Sequence, residues 1–414
     1  MAAVAGKALA ALAAVILVAP AMLIALLVIS VSMTHRARPP VPLAAAHNAS
    51  AVRSAGCGVR PGLATGQLVY QTVDVDGLER EYLLWLPASY DPDRPYPLLF
   101  SLHGATNSPV VQAMQDQLHC LADAAPYVVA WPAGYYRDST AHYSSWNAPG
   151  ATARGDSPED GAPCIVNPLT GRFGSVDDPS FVSFASCTYN GTMGTDATPC
   201  FSAACVDDVA FLGTLLDTLT SSLCIDTSRL SLHGHSMGGL MAMGAAAAEP
   251  LNQKIRAVVA WTAAPFAGYN SIPSPRAVPL LKLDAAWDSV IPSGANGSIG
   301  GTLGPLGSAV GEGAWLYTPS EEVTLAWSSP FSLDAALGFV TGLAAAPLPP
   351  GTPVPTALDG FRAFGCAARE GWPAVVACVG EWGHAFALAA PLQAPFTGPA
   401  MAAIAWDFAS RYRR

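Results

Sequence analysis

Gly234-His235-Ser236-Met237-Gly238 sets a nucleophilic side chain between glycines two residues away on either side. A serine needs that spacing when its hydroxyl must project from a strained backbone position, because side chains at the flanking sites would crowd it. Upstream, Arg229-Leu230-Ser231-Leu232-His233 alternates as a short buried strand does, and downstream Gly239 to Ala248 reads as an Ala-rich helix. Strand, tight turn and helix together make the turn a nucleophile elbow, and the helix N-terminus favours the negative charge of a tetrahedral intermediate. The chemistry implied is acyl transfer through an attacking hydroxyl.

Such a serine needs a base and a group to orient it, in the chain order serine, acid, histidine. The chain has eight histidines. His35 and His47 lie near the N-terminal apolar segment, His119 and His142 precede the serine, and His233 is on the elbow strand. His103 and His235 belong to the loop and the turn around the serine and read as structural. His384 remains, in a Gly-His turn after the strand Ala374–Val379, and is the candidate base. The candidate acid is Asp288, in the loop after Leu280-Leu281-Lys282-Leu283, with Asp284 at the end of the same strand as its rival. Two backbone N–H groups must receive the oxyanion. One is the amide of Met237, and the other belongs to Ala105 or Thr106, after Leu102-His103-Gly104.

The elements that must position these residues are legible as alternation and periodicity. Leu68–Val75 and Arg80–Leu86 flank an Asp76-Gly77 turn and read as a hairpin or meander. Apolar strands follow at Pro97–Gly104, Val128–Pro132, Ile255–Trp261 and Val278–Asp284. A helix over Val206–Leu223 turns Val209, Phe211, Leu212, Leu215, Leu216 and Leu219 to one face, with Asp207 and Asp208 as N-terminal caps. Further helices are expected around Ser320–Trp327, Ser332–Ala344 and Gly398–Arg411. Strands alternating with helices predict an α/β fold with a mostly parallel sheet covered on both faces. Two stretches, about 135–204 and 294–313, are rich in Gly, Ser and Pro and read as insertions; the first carries Cys164, Cys187 and Cys200.

Of all residues 51% are hydrophobic and only 12% charged, which suits a large core plus a membrane-inserting segment. The net charge of −10, with no Lys/Arg cluster, excludes a nucleic-acid partner. Ala8–Val31 is an almost unbroken apolar run, and residues 1–34 fit either a cleaved signal peptide or a signal anchor that tethers the protein to a membrane. Residues 35–66 read as a Pro/Ala/Gly-rich linker and 67–414 as the catalytic domain. Nine cysteines without zinc spacing predict disulfides, with at least one thiol left over, and no metal site. Asn48, Asn190 and Asn296 open glycosylation triplets that fit the same secretory route.

Arg80-Glu81-Tyr82-Leu83-Leu84-Trp85-Leu86-Pro87, Tyr96–Gly104 and Val206-Asp207-Asp208-Val209-Ala210-Phe211 resemble the secreted feruloyl esterase and polyhydroxybutyrate depolymerase group of α/β-hydrolases. The similarity covers about residues 57 to 390, with gaps. That group's acid loop reads His-Gly-Thr-x-Asp-x-x-Val-Pro. Here Asp284, Ala285, Ala286, Trp287, Asp288, Ser289, Val290, Ile291 and Pro292 occupy it, which carries the acid onto Asp288 while Asp284, Ala285 and Ala286 depart from the pattern. The group's final histidine turn matches Trp382-Gly383-His384-Ala385-Phe386, without its proline and with its second aromatic changed. Trp146-Asn147 also matches, but a much longer insertion follows. Cys366 and Cys378 resemble a late cysteine pair of the group, which implies that they bond to each other.

The resemblance implies an α/β-hydrolase fold and a serine carboxylesterase with a Ser236, His384, Asp288 triad and no cofactor. Its substrate would be a feruloyl or acetyl ester of a polysaccharide, or a short hydroxyalkanoate polyester. Two other readings stay open at this point: a lipase or polyester hydrolase with a lid, and a catalytically silent hydrolase fold used for surface binding.

Overall fold

A computed structural model of the chain describes residues 51–136, 144–146, 148, 207–266, 278–295, 298, 301–304, 307–311, 316–328, 365–369, 375–380, 384, 398–410 and 412. The apolar run 8–31, the three glycosylation asparagines, Asn147, Cys164, Cys187, Cys200 and the helix expected over 332–344 lie outside the described residues. The chain divides into two units, Met1–Ala45 and Ala46–Arg414. Among the described residues no helix is long and apolar enough to cross a membrane.

The second unit opens with β1 (Leu68–Val75) and β2 (Leu78–Trp85), antiparallel with Val75 opposite Leu78. Asp76 and Gly77 turn between them with φ of 54° and 84°, and positive φ at both central residues is what a type I′ turn requires. Next come β3 (Tyr96–Leu102), α1 (Pro109–Asp116), α2 (Leu118–Ala122) and β4 (Val128–Pro132). A two-residue pair, β5 (Tyr135–Tyr136) with β6 (Ser144–Ser145), lies at the start of the first insertion. Regular structure continues with α3 (Asp208–Ser222), β7 (Ile225–His235), α4 (Met237–Ala247), β8 (Ala257–Trp261) and β9 (Leu280–Ala285). The pair β10 (Ala309–Val310) and β11 (Leu316–Tyr317) precedes α5 (Ser320–Ser328), β12 (Gly365–Arg369), β13 (Val375–Gly380) and α6 (Gly398–Ala409).

One large sheet runs in the order β1-β2-β4-β3-β7-β8-β9-β13-β12. From β4 through β13 neighbouring strands are parallel, and antiparallel strands close both edges. This is the expected mostly parallel sheet, and its order defines an α/β-hydrolase fold. The chain winds one way from β3 to β4 and the other way from β7 onward, so β3 and β7 flank the point where direction reverses. Ligands of open α/β sheets bind outside the carboxyl ends of the strands at that point. Leu102 and Gly234 are register partners there, which brings the loop after β3 beside the serine turn.

The buried strands pack helices on both faces because their side chains alternate. Leu98, Phe100, Leu230, Leu232, Val258 and Ala260 share one core with α3 and α4. Helix α6 covers β7 and β8 from the other face and packs on α1 and α2. The apolar stripe expected of α3 is buried at Phe211, Leu212, Leu215, Leu216 and Leu219. Asp207 is its cap, accepting from the Ala210 amide at 2.8 Å. Asp208 differs from expectation: it is no cap but the buried partner of Arg80 at 2.6 Å. That guanidinium also lies 4.0 Å above the Phe211 ring and donates to the Ala133 carbonyl, which joins β2, α3 and the loop after β4.

A disulfide between Cys57 and Cys224 fastens the start of this unit to the junction of α3 and β7. Cys378 is also disulfide-bonded, and Cys366 is its register partner across β12 and β13. Cys120 is a free, exposed thiol.

Candidate active site

Ser236 sits between β7 and α4 at φ 54° and ψ −125°, a backbone conformation that L-residues avoid. The turn is so tight that its glycines have no alternative. A Cβ on Gly234 would lie 2.2 Å from the Gly238 carbonyl oxygen, and one on Gly238 would lie 2.2 Å from that of Leu102. The Ser236 amide donates to the Trp261 carbonyl at 2.9 Å, and its own carbonyl receives the amides of Gly239 and Leu240 as the helix begins. Thr106 and Thr262 also hold positive φ, 63° and 41°. Residues at positive φ thus follow the ends of β3, β7 and β8, side by side at one rim of the sheet. Such strain persists only where surrounding structure over-determines it, and it clusters at functional sites.

The structure brings Ser236, His384 and Asp288 together. His384 Nε2 is 2.9 Å from Ser236 Oγ, and His384 Nδ1 is 2.8 Å from Asp288 Oδ2. Asp288 is fully buried, and its Oδ1 accepts the amides of Val290 at 2.9 Å and Ile291 at 2.8 Å. A carboxylate can only accept there, so His384 Nδ1 carries the proton and Nε2 is left free to take one from the serine. The imidazole is 18% exposed, which leaves an approach from solvent. Asp284, the rival acid, is bound elsewhere: it receives Lys282 Nζ and Ser320 Oγ, both buried.

The loop after β3 crosses directly against the serine. A Cβ on Gly104 would stand 3.2 Å from Ser236 Cβ. Asn107 N–H donates to the Gly104 carbonyl, closing a turn with Ala105 and Thr106 at its centre. With Thr106 alone at positive φ, this has the form of a type II turn. Thr106 N–H donates to the Ser144 carbonyl at 2.8 Å and is not available to an oxyanion. Of the two donors expected from this loop, Ala105 is therefore the one that fits. Met237 is the first residue of α4 and so has no carbonyl one turn back within the helix to receive its N–H.

His103 holds this loop in place. Its Nε2 accepts the Gly134 amide at 2.9 Å, so Nδ1 carries the proton and donates to the Gly104 carbonyl at 2.7 Å. Burial pushes its pKa down to about 4, so the ring is neutral near pH 7. Trp146 Nε1 donates to the His103 carbonyl at 2.7 Å, which gives the Trp146 of the sequence pattern a physical role. The structural role expected of His103 is the one its contacts describe.

A second grouping of serine, acid and histidine lies on the opposite face of the sheet. Ser101 Oγ is 2.6 Å from Asp116 Oδ2 and 2.9 Å from His233 Nδ1. All three residues are at most 1% exposed, and Trp131 Nε1 and the Leu118 amide also bind Asp116. Burial raises the Asp116 pKa to about 6 and lowers that of His233 to about 3. Sealed from substrate, this network ties β3, β7 and α1 together and is no candidate for catalysis.

No known protein-family model matches the chain. The curated feruloyl esterase D of Neurospora crassa is 27% identical over 220 residues, 53% of this chain and 57% of that protein. This chain therefore spans little more than half the length of the curated relative it matches. Among solved structures, a thermostable esterase overlaps 54% of this chain and 48% of its own at 18% identity and a TM-score of 0.33. An acetyl xylan esterase from Aspergillus awamori overlaps 76% of this chain and 94% of its own at 11% identity and a TM-score of 0.42. The chain is thus similar in sequence to a feruloyl esterase, while its fold assignment rests on its own strand order.

Proposed function

We propose that this protein is a serine carboxylesterase acting on polysaccharide-linked acyl groups of the feruloyl type. Ser236 Oγ attacks the ester carbonyl carbon while His384 Nε2 takes its proton, and Asp288 stabilises the imidazolium that forms. The amides of Met237 and Ala105 receive the oxyanion, a contribution of about 3 to 4 kcal/mol for each donor in comparable sites. Collapse of the intermediate expels the alkoxide, which His384 protonates. Water, deprotonated by the same nitrogen, then attacks the acyl-serine and releases the acid. None of these steps calls for a metal or an organic cofactor.

The single observation that carries this reading is the continuous hydrogen-bond path from Ser236 Oγ through His384 to a buried Asp288, at 2.9 and 2.8 Å. Two observations favour the substrate class. The curated relative bears the name feruloyl esterase D. Trp287, immediately before Asp288, is 61% exposed and offers a flat aromatic face to a sugar or phenolic ring. The Cys57–Cys224 disulfide supports a site of action outside the cytosol, after passage through the secretory route.

A fluorophosphonate probe tests the nucleophile. The wild-type chain is expected to label and Ser236→Ala to remain unlabelled and inactive. A panel of methyl ferulate, acetylated xylan, butyrate and hydroxybutyrate esters tests the substrate class, with ferulate expected to give the highest kcat/KM. Absence of labelling in folded wild-type protein would overturn the enzymatic reading.

A further inference from the structure

His235 stands one residue before Ser236, and its ring is buried among the parts that the proposed reaction uses. Its Nε2 lies 3.0 Å from the backbone carbonyl oxygen of His384. A carbonyl only accepts, so Nε2 carries the proton and donates it. The opposite edge of the ring faces the oxyanion loop, with Nδ1 3.3 Å from where a Cβ on Gly104 would stand. One imidazole thus spans the serine turn, the loop after β3 and the histidine turn.

Held only at its ring, His384 could pivot about the Asp288 contact and swing Nε2 off the serine. A bond to its own carbonyl supplies a second fixed point, and two points define the line along which Nε2 meets Ser236 Oγ. We propose that His235 is a positioning residue, whose Nε2–H···O=C bond to His384 fixes the backbone that carries the catalytic base. The inference rests on the Ser236–His384 reading above. The environment suits the task. Burial, with the neighbouring His384 ring 5.3 Å away, lowers the His235 pKa to about 3. His235 therefore donates without adding a positive charge beside the imidazolium that forms on His384 during turnover. Misplacing a reacting group by 1 Å can cost about 100-fold in rate, and this gives the contact its leverage.

The test compares His235→Leu, which fills the space without a donor, with His235→Gln, whose amide N–H can reach the same carbonyl. Turnover of methyl ferulate and p-nitrophenyl acetate is expressed per serine titrated by a fluorophosphonate, so that misfolded protein does not count. The Leu variant is expected to lose about 10- to 100-fold in kcat with KM within about 2-fold, and the Gln variant to recover most of that loss. Equal kcat in the two variants, or a Leu variant within about 2-fold of wild type, would overturn the role of His235 while leaving the triad standing. A wild-type chain that neither labels nor hydrolyses would overturn both.

Discussion

Asp284 on β9 and Asp288, four residues on in the loop that follows, give their carboxylates to different partners. Asp284 is paired with the buried Lys282 and with Ser320 at the start of α5, so it fastens β9 to the helix above it. Asp288 turns one oxygen to two backbone amides and the other to His384. Exchange of either carboxylate for an amide should therefore separate stability from turnover. Asp288→Asn is expected to fold and to lose about 10³- to 10⁴-fold in kcat, because the amide favours the wrong tautomer of His384. Asp284→Asn is expected to keep kcat per folded molecule within a few-fold. It should lose about 3 to 5 kcal/mol of stability by leaving Lys282 buried without its counter-charge. Urea unfolding and ester hydrolysis on the same preparations check both.

The loop after β3 offers a similar separation. Ala105 occupies the turn position where proline is favoured, so Ala105→Pro removes the amide hydrogen with little expected damage to the fold. Turnover of a small ester should fall about 10²- to 10³-fold with KM nearly unchanged. Thr106→Gly keeps the N–H that binds Ser144 and relieves a positive φ of 63°. Its kcat is expected to stay within about 3-fold of wild type, with Tm changed by no more than a few degrees.

Three histidines are buried uncharged: pKa values fall to about 4 for His103 and to about 3 for His233 and His235, chiefly through desolvation. The unfolded chain binds their protons near pH 6.5, whereas the folded chain does not until far lower pH. Stability should therefore be fully present above that value and lost as the pH falls from about 6.5 toward 4. Each histidine adds to the loss in that window, so the three act in the same direction. Asp116 acts in the opposite sense. Its folded pKa of about 6 lies above the unfolded value, so its contribution is present at acid pH and lost as pH rises through 6. One carboxyl cannot offset three imidazoles, so the net expectation is acid lability. Urea midpoints should hold from pH 8 to about 6.5 and fall from there to pH 4, and a flat profile below about 6.5 would contradict the buried neutral rings.

Much of the fold was legible because it is written in local pattern. The Asp76-Gly77 turn, the buried strands and the apolar stripe of α3 each follow from alternation, helical period or turn chemistry within a dozen residues. The elbow was legible for the same reason, since Gly234 answers to a contact made across its own turn, with Gly238. What was not legible depends on tertiary partners. Nothing near Thr106 reveals that Ser144, far along the chain, takes its amide, and nothing near Asp208 reveals Arg80. Thr262 carries no sequence signal for its positive φ, nor for the bond from its amide to the Leu283 carbonyl on β9. Strand β12, Gly-Cys-Ala-Ala-Arg, has little β-propensity and exists through its pairing with β13. Helix α1 was not among the expected helices, although Ser108-Pro109, a cap followed by proline at the start of the helix, marks its beginning.

Trp287 gives the most direct test of substrate class. A large aromatic side chain 61% exposed, next to a fully buried Asp288, contributes little to the core and is free to contact substrate beyond the scissile bond. If it stacks on a sugar or phenolic ring, its loss weakens ground-state and transition-state binding alike, which raises KM and spares kcat. Trp287→Ala is expected to raise KM for a feruloylated arabino-oligosaccharide by about 5- to 20-fold, or about 1 to 2 kcal/mol. For p-nitrophenyl acetate, too small to reach the ring, kcat/KM should stay within about 2-fold of wild type. An equal loss on both substrates would assign Trp287 to the support of Asp288, and an unchanged KM on the oligosaccharide would remove this residue from substrate recognition.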